Sequence, residues 1–236
     1  MQRLKHLFRR SRSGARTATG QDAELSGVEI TEAFTRMYYD VEQHGGTWRD
    51  TYWMGIPTRK CPLDLWVYQG ILAEVRPDVI VECGTAFGGS TLFLAPLCDT
   101  LGVGQIISID IEASSDRPAH HRITYLHGSS ISDDTVASVR ALISPLATVM
   151  VILDSDHRRD HVLAEIERYS PMVSKGSYLV VEDTIVNGNP ILPGFGPGPM
   201  EAIQEFLSTT PPFTVDRDHE KFFLTFNPSG YLRRVK

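Results

Sequence analysis

Cysteine is scarce. The 236 residues hold three, Cys61, Cys83 and Cys98, and no CxxC pair. An odd, widely spaced set excludes a disulfide framework and a zinc ribbon. Reduced, buried thiols in a cytoplasmic protein are expected. No apolar run reaches the ~18 residues that a membrane-spanning helix needs, so no transmembrane segment is expected. Positive charge is also short: 23 Lys and Arg stand against 29 Asp and Glu, a net charge of −6. That balance argues against a general nucleic-acid surface. Internal repeats are absent, as is the Gly-Lys-Ser/Thr element of a nucleoside-triphosphate P-loop.

What is present is ordinary globular composition, 42% hydrophobic and 22% charged, and enough length for one large α/β domain with a core. Charge is unevenly placed. Residues 1–20 hold Arg3, Lys5, Arg9, Arg10, Arg12 and Arg16 and no acid, leaving about −12 for the rest. This stretch lacks the apolar core and cleavage site of a secretory signal. Residues 1–24 are expected to form a solvated basic arm. Leu4, Leu7 and Phe8 offer at most weak contact with an anionic membrane surface. Residues 25–236 are expected to form one domain, with an N-terminal helical and aromatic extension over 25–77 and a core over 78–236.

In the extension, Ile30, Phe34, Met37, Tyr38 and Val41 recur near helical spacing and predict a helix over 28–43. A turn at Gly45-Gly46 and an aromatic segment from Trp48 to Trp53 follow. A second helix is predicted over 62–75, with Pro62 in its first turn. From residue 78, apolar runs at 79–81, 106–109, 123–126, 149–153 and 178–181 alternate with helical patterns at 89–100, 132–143, 159–170 and 199–208. Continuous Val/Ile runs indicate strands buried on both faces, and their alternation with helices indicates right-handed crossovers in a parallel sheet. Two further strands without a helix between them are predicted over 213–235, giving an antiparallel edge. Residues 188–199 hold four Gly and four Pro and cannot be regular structure. They follow a strand and are expected to form a lid or substrate loop at the C-terminal edge of the sheet.

The segment Val81-Glu82-Cys83-Gly84-Thr85-Ala86-Phe87-Gly88-Gly89-Ser90 joins the first core strand to a helix. Glycine lets such a turn approach a ligand, and Ser90 is a plausible helix cap. Ala86 breaks the GxGxxG dinucleotide pattern. The next strand ends in Asp110, where a ribose diol would be held. Turn and acid together suggest an adenosyl ligand. Ser129 and Ser130, after the third strand, could meet an adenine edge or cap a helix with Ser132 and Asp133. The fourth and fifth strands end in Asp154-Ser155-Asp156-His157 and Glu182-Asp183. Adjacent strand ends lie roughly 5 Å apart, so these carboxylates converge and call for a compensating cation. Oxygen ligands favour Mg²⁺, with Mn²⁺ or Ca²⁺ possible. The plainer alternative is that these acids cap helices or pair with Arg158 and Arg159. His157, beside them, is placed to accept a proton from a metal-acidified hydroxyl. His120, His121, His127 and His161 are less well placed.

These residues together resemble the class I S-adenosylmethionine-dependent methyltransferases, and within them the family that holds the cephalosporin hydroxylase-type protein and the rhamnosyl O-methyltransferases. The resemblance spans about Trp53 to Val235. Its carriers are Trp53-x-Gly55, Lys60-x-Pro62-x-Asp64, Arg76-Pro77-Asp78, Gly88-Gly89-Ser90, Leu153-Asp154-x-x-His157, Glu182-Asp183 and Phe226-Asn227-Pro228-x-Gly230-Tyr231-Leu232. It implies a Rossmann-like, doubly wound, mostly parallel seven-stranded sheet with an antiparallel last strand. It implies S-adenosylmethionine at Glu82, Gly84, Ser90 and Asp110, with Ser129 near the adenine, although some relatives carry an acid there. It implies Mg²⁺ or Mn²⁺ on Asp154, Glu182 and Asp183. His157 stands where catechol-type enzymes carry a lysine. The implied activity is O-methylation of a sugar hydroxyl on a glycolipid, polysaccharide precursor or glycosylated natural product. The alternatives are a hydroxylase or hydroxylase partner, and a catechol-like O-methyltransferase. A homodimer or higher homo-oligomer through the N-terminal helices is expected.

Overall fold

The structure, a computed structural model, describes residues 26–39 and 45–236. The basic arm and the end of the helix predicted to reach residue 43 lie outside the described residues. Helix α1 (Gly27–Tyr39) opens the described chain. A two-stranded ribbon follows, β1 (Tyr52–Trp53) paired with β2 (Ile56–Pro57), and then α2 (Pro62–Val75). The main sheet comprises β3 (Val79–Cys83), β4 (Gln105–Asp110), β5 (Ile123–His127), β6 (Val149–Leu153), β7 (Tyr178–Val181), β8 (Phe213–Val215) and β9 (Tyr231–Arg234). The crossovers carry α3 (Gly89–Leu101), α4 (Asp133–Leu142), α5 (Arg159–Tyr169) and α6 (Pro199–Ser208).

Strand order is β5-β4-β3-β6-β7-β9-β8, and only β9 runs antiparallel to its neighbours. The alternation of side chains along each buried strand feeds two cores. Val81, Cys83, Ile107, Ile109, Val151 and Leu153 pack with α4, α5 and α6. Ile80, Ile106, Met150, Ile152 and Val180 pack with α2 and α3 on the opposite face. This is why the central strands read as unbroken apolar runs rather than as an alternating pattern.

The two strands predicted over 213–235 form the antiparallel edge of the sheet, with their order in space reversed. β9 inserts between β7 and β8, and β8 forms the edge. The burial explains the order: Tyr231 and Leu232 are fully buried, so their strand needs a neighbour on each side, whereas the three-residue β8 exposes Thr214. The strand order reverses at β3 and β6, which are direct neighbours in the sheet although two strands separate them in the chain. Ligands of open α/β sheets bind outside the C-terminal ends of strands at such a point.

The aromatic segment is mainly packing. Trp53 meets Phe93 edge-on at 5.0 Å, and Trp48 stacks on Tyr39 at 5.1 Å. Of the segment's aromatic residues only Tyr52 is exposed. The Gly/Pro stretch after β7 is irregular, as its composition requires, but it is anchored: Ile191 is buried with Ile185 and Val186, and Arg159 N donates to Pro197 O at 2.9 Å.

Candidate active site

Asp154 leaves β6 and Glu182-Asp183 leave β7, the next strand, so all three acids emerge at one edge. Asp183 adopts a left-handed conformation, φ 53, and its N–H donates to Asn227 Oδ1 at 3.1 Å. Its carboxylate meets His157, with Nε2 to Oδ2 at 3.2 Å. Asp154, His157 and Asp183 each offer a ligand atom, all within 4.8 Å of one another.

Glu182 faces a different partner. Lys60 Nζ donates to Glu182 Oε1 at 2.5 Å and to Asp154 Oδ2 at 2.5 Å, and Tyr68 Oη donates to Glu182 Oε1 at 2.6 Å. The acids expected to act together therefore form two overlapping groups: Asp154 and Asp183 with His157, and Asp154 and Glu182 with Lys60. Burial pushes the carboxyls of Asp154 and Asp183 up, and that of Glu182 up to about 7, while Lys60 pulls all three back down. Burial alone would lower the Lys60 pKa, but the charges of Asp154 and Glu182 outweigh it and keep the ammonium protonated. At His157 burial likewise lowers, and the charges of Asp183, Asp154 and Glu182 raise the pKa above its ordinary value.

Lys60 belongs to the pattern Lys60-x-Pro62-x-Asp64, which by itself assigns it no role. A lone lysine carries no spacing signal, and its partners lie 94 and 122 residues away in the chain. The same pattern supplies Asp64, buried in the first turn of α2. It accepts from Thr225 Oγ1 at 2.6 Å, Phe226 N at 2.8 Å and Tyr231 Oη at 2.9 Å, which ties the segment carrying Asn227 to the helix beneath the acids. Burial pushes the Asp64 carboxyl up to about 7, although these three donors hold it down. A carboxyl raised in the folded state contributes stability that is complete below about pH 4 and lost as pH rises through about 7. Asp64→Asn is thus expected to flatten the decline of unfolding free energy between pH 4 and 7.5, measured by urea titration. An unchanged slope would assign the decline to other groups.

Beside the acids lies a cavity of about 260 Å³, whose lining includes Gly84, Asp110, Ile111, Ser129, Asp154 and His161. Asp110 accepts from Ala86 N at 2.7 Å and Glu112 N at 2.8 Å and pairs with Arg117 at 3.1 Å. The exposed Ile111 gives the rim an apolar surface. Sequence reasoning set His161 aside; its Nε2 lies 3.2 Å from Ser130 Oγ at the cavity wall. His120 and His121 instead sit with Asp99, away from this site.

Two expected cofactor residues do not line the cavity. Glu82 is fully buried and accepts from Ser90 Oγ at 2.6 Å, from Ser108 Oγ at 2.7 Å and from Thr91 Oγ1. Ser90 lies inside α3 rather than capping it; Gly88, φ 81, takes the cap position. The glycines also have a different cause from ligand approach. A Cβ on Gly89 would stand 2.2 Å from Pro57 O, and one on Gly84 1.8 Å from Asp154 O. They are small because other backbone passes against them.

A sheet of this order, with a cavity and an acid cluster meeting over its switch point, defines a Rossmann-like protein of the class I methyltransferase type. The model of the family described as Rhamnosyl O-methyltransferase/CmcI matches residues 45–235, and the chain belongs to that family. The Rhamnosyl O-methyltransferase of Mycobacterium tuberculosis is 35% identical over 212 residues, covering 87% of this chain and 85% of that protein. That of Mycobacterium leprae is 36% identical over 214 residues, covering 87% and 90%. Among solved structures, ligand-free CmcI is similar with a TM-score of 0.62 at 24% identity, over 80% of this chain and 77% of its own. This last likeness is one of fold.

Proposed function

We propose that this protein is an S-adenosylmethionine-dependent, divalent-metal-assisted O-methyltransferase whose acceptor is a sugar hydroxyl, with a rhamnosyl group the first to be tried. The observation that carries the reading is the double position of Asp154, which lines the cavity and belongs to the acid cluster. A methyl donor in the one and an acceptor held at the other would meet at this residue. The family relatives, named for rhamnosyl O-methylation, favour a sugar acceptor.

The residues suit both groups that this activity requires. Asp110 and Ser129 present polar atoms to the cavity, and Ile111 an apolar rim. Glu82 and Ser90 act from behind, fixing the turn that carries Gly84. The carboxylates of Asp154, Asp183 and Glu182 make an oxygen donor set fit for Mg²⁺ or Mn²⁺. A ferrous oxygenase centre usually takes two histidines and a carboxylate, which this cluster lacks, so hydroxylation is the weaker reading. When bound, S-adenosylmethionine supplies an electrophilic methyl group and the metal ion an acidified acceptor hydroxyl. His157 would take the hydroxyl proton at the ring nitrogen that does not face Asp183, whose Oδ2, 3.2 Å from Nε2, would stabilise the imidazolium. Asp154, Glu182 and Asp183 would hold the ion that orients the acceptor oxygen toward the methyl group, and such alignment contributes much of the rate. The loop over 188–199 borders the same sheet edge and closes over the acceptor. Three buried free cysteines suit a cytoplasmic location, and α1, which exposes Val28, Ile30, Phe34 and Met37, is the surface proposed for self-association.

The direct test is transfer of labelled methyl from S-adenosylmethionine to rhamnosyl glycolipid acceptors, with and without a chelator. Transfer that is undiminished by the chelator removes the metal from the reading, and no transfer to any sugar acceptor removes the sugar. His157→Ala is expected to slow transfer by about 10²–10⁴. A loss below about threefold would take His157 out of the base role.

A further inference from the structure

We infer that Lys60 is an internal cation that competes with the divalent ion for Asp154 and Glu182, and so sets how tightly the site holds metal. The inference rests on the proposed metal-assisted activity and adds a control that the activity alone does not imply.

The ammonium is almost wholly buried, its side chain 3% exposed, and it reaches both carboxylates at 2.5 Å. A buried ammonium needs such partners. The carboxylates need it equally, because without a cation three acids at neighbouring strand ends repel one another. Lys60 therefore does in the protein alone what a metal ion would do: it bridges the end of β6 to the end of β7. An ion that takes ligand oxygens from Asp154 or Glu182 stands beside Nζ, which holds Oδ2 of the one and Oε1 of the other, and two cations on shared carboxylates repel in a buried setting. The lysine stem is a flexible four-carbon chain with three rotatable donors, so Nζ can withdraw and return. Tyr68 Oη also donates to Glu182 Oε1, at 2.6 Å.

Two consequences follow from this competition. The metal-free protein keeps a neutralised bridge and is not strained by chelation. Metal binding works against the lysine, so its affinity is lower than the acid count suggests.

The test uses the full chain and Mn²⁺ alone as the probe, read by electron paramagnetic resonance at pH 8. Lys60→Met is expected to bind Mn²⁺ about tenfold more tightly than wild type, or better. Chelation is expected to leave the wild-type melting temperature almost unmoved and to lower that of the variant, with Mg²⁺ restoring it. Equal or weaker Mn²⁺ binding by Lys60→Met overturns the competition while leaving the metal-assisted activity standing. Absence of Mn²⁺ binding by both proteins at millimolar concentration overturns the metal reading itself. If the variant fails to fold, wild-type crystals soaked in Mn²⁺ decide: Nζ is expected to have left hydrogen-bond distance of Asp154 Oδ2 and Glu182 Oε1. Retention of both contacts beside a bound ion would overturn the inference.

Discussion

Asp154→Ala is expected to reduce methyl transfer by at least about 10³-fold while leaving S-adenosylhomocysteine affinity within a fewfold of wild type. The asymmetry follows from where the side chain points. Asp154 is one of many residues in the cavity wall, and Gly84, Asp110 and Ser129 remain there without it. Its carboxylate instead belongs to the acid cluster and accepts from Lys60. Removal deletes a metal ligand and strips Lys60 of one of its two partners, which leaves a buried ammonium leaning on Glu182 alone. Some loss of stability is therefore expected alongside the loss of rate, on the order of 3 kcal/mol. Calorimetric titration with S-adenosylhomocysteine and single-turnover transfer separate the two effects. If the variant keeps a tenth of wild-type transfer, Asp154 is not at the reacting centre. If it loses cofactor binding as completely as transfer, its role lies in the cavity.

Gly84→Ala is expected to be the most damaging single-methyl change to stability. The residue has φ +96, and the new Cβ would stand 1.8 Å from the carbonyl oxygen of Asp154, 2.5 Å from its carbon and 2.9 Å from Ser155 N. Neither side can give way easily. Gly84 N donates to Ile109 O at 2.9 Å, and Asp154 N donates to Cys83 O at 2.8 Å, so the clash lies inside the hydrogen-bonded ends of β3, β4 and β6. Overpacking and left-handed strain together should cost on the order of 3–5 kcal/mol. For a chain of this length that lowers the melting temperature by roughly 10 °C. Gly102→Ala is the matched control, since it is also left-handed, φ +69, but has nothing within 4 Å; it should cost about 1 kcal/mol. Equal melting temperatures for the two variants would show that the strand ends yield. The same change should also weaken transfer in whatever fraction folds, because the carbonyl being pushed belongs to Asp154.

The site was only partly legible because its parts carry signals of different range. Acids at the ends of apolar runs are visible in sequence, since a strand's end and its last polar residue are local facts. Asp110, Asp154, Glu182 and Asp183 stand out in the sequence for this reason. Glu82 stands out in the same way, as a carboxylate before a glycine turn, and three hydroxyls from α3 and β4 enclose it. Gly89, in the same turn, leaves room for Pro57. Lys60 had no local mark at all.

The amino-acid sequence by itself determined the elements and their class. Helix bounds at Pro62–Val75 and Pro199–Ser208 and strand bounds at Val149–Leu153 and Tyr178–Val181 coincide with the patterns, because hydrophobic period, proline and glycine act within a few residues. Tertiary structure alone decided the rest. It placed β9 inside the sheet, turned Glu82 inward, and brought Lys60 between the ends of β6 and β7. Such outcomes depend on which distant segments compete to bury an apolar strand or to neutralise a charge, and a linear pattern holds no record of that competition.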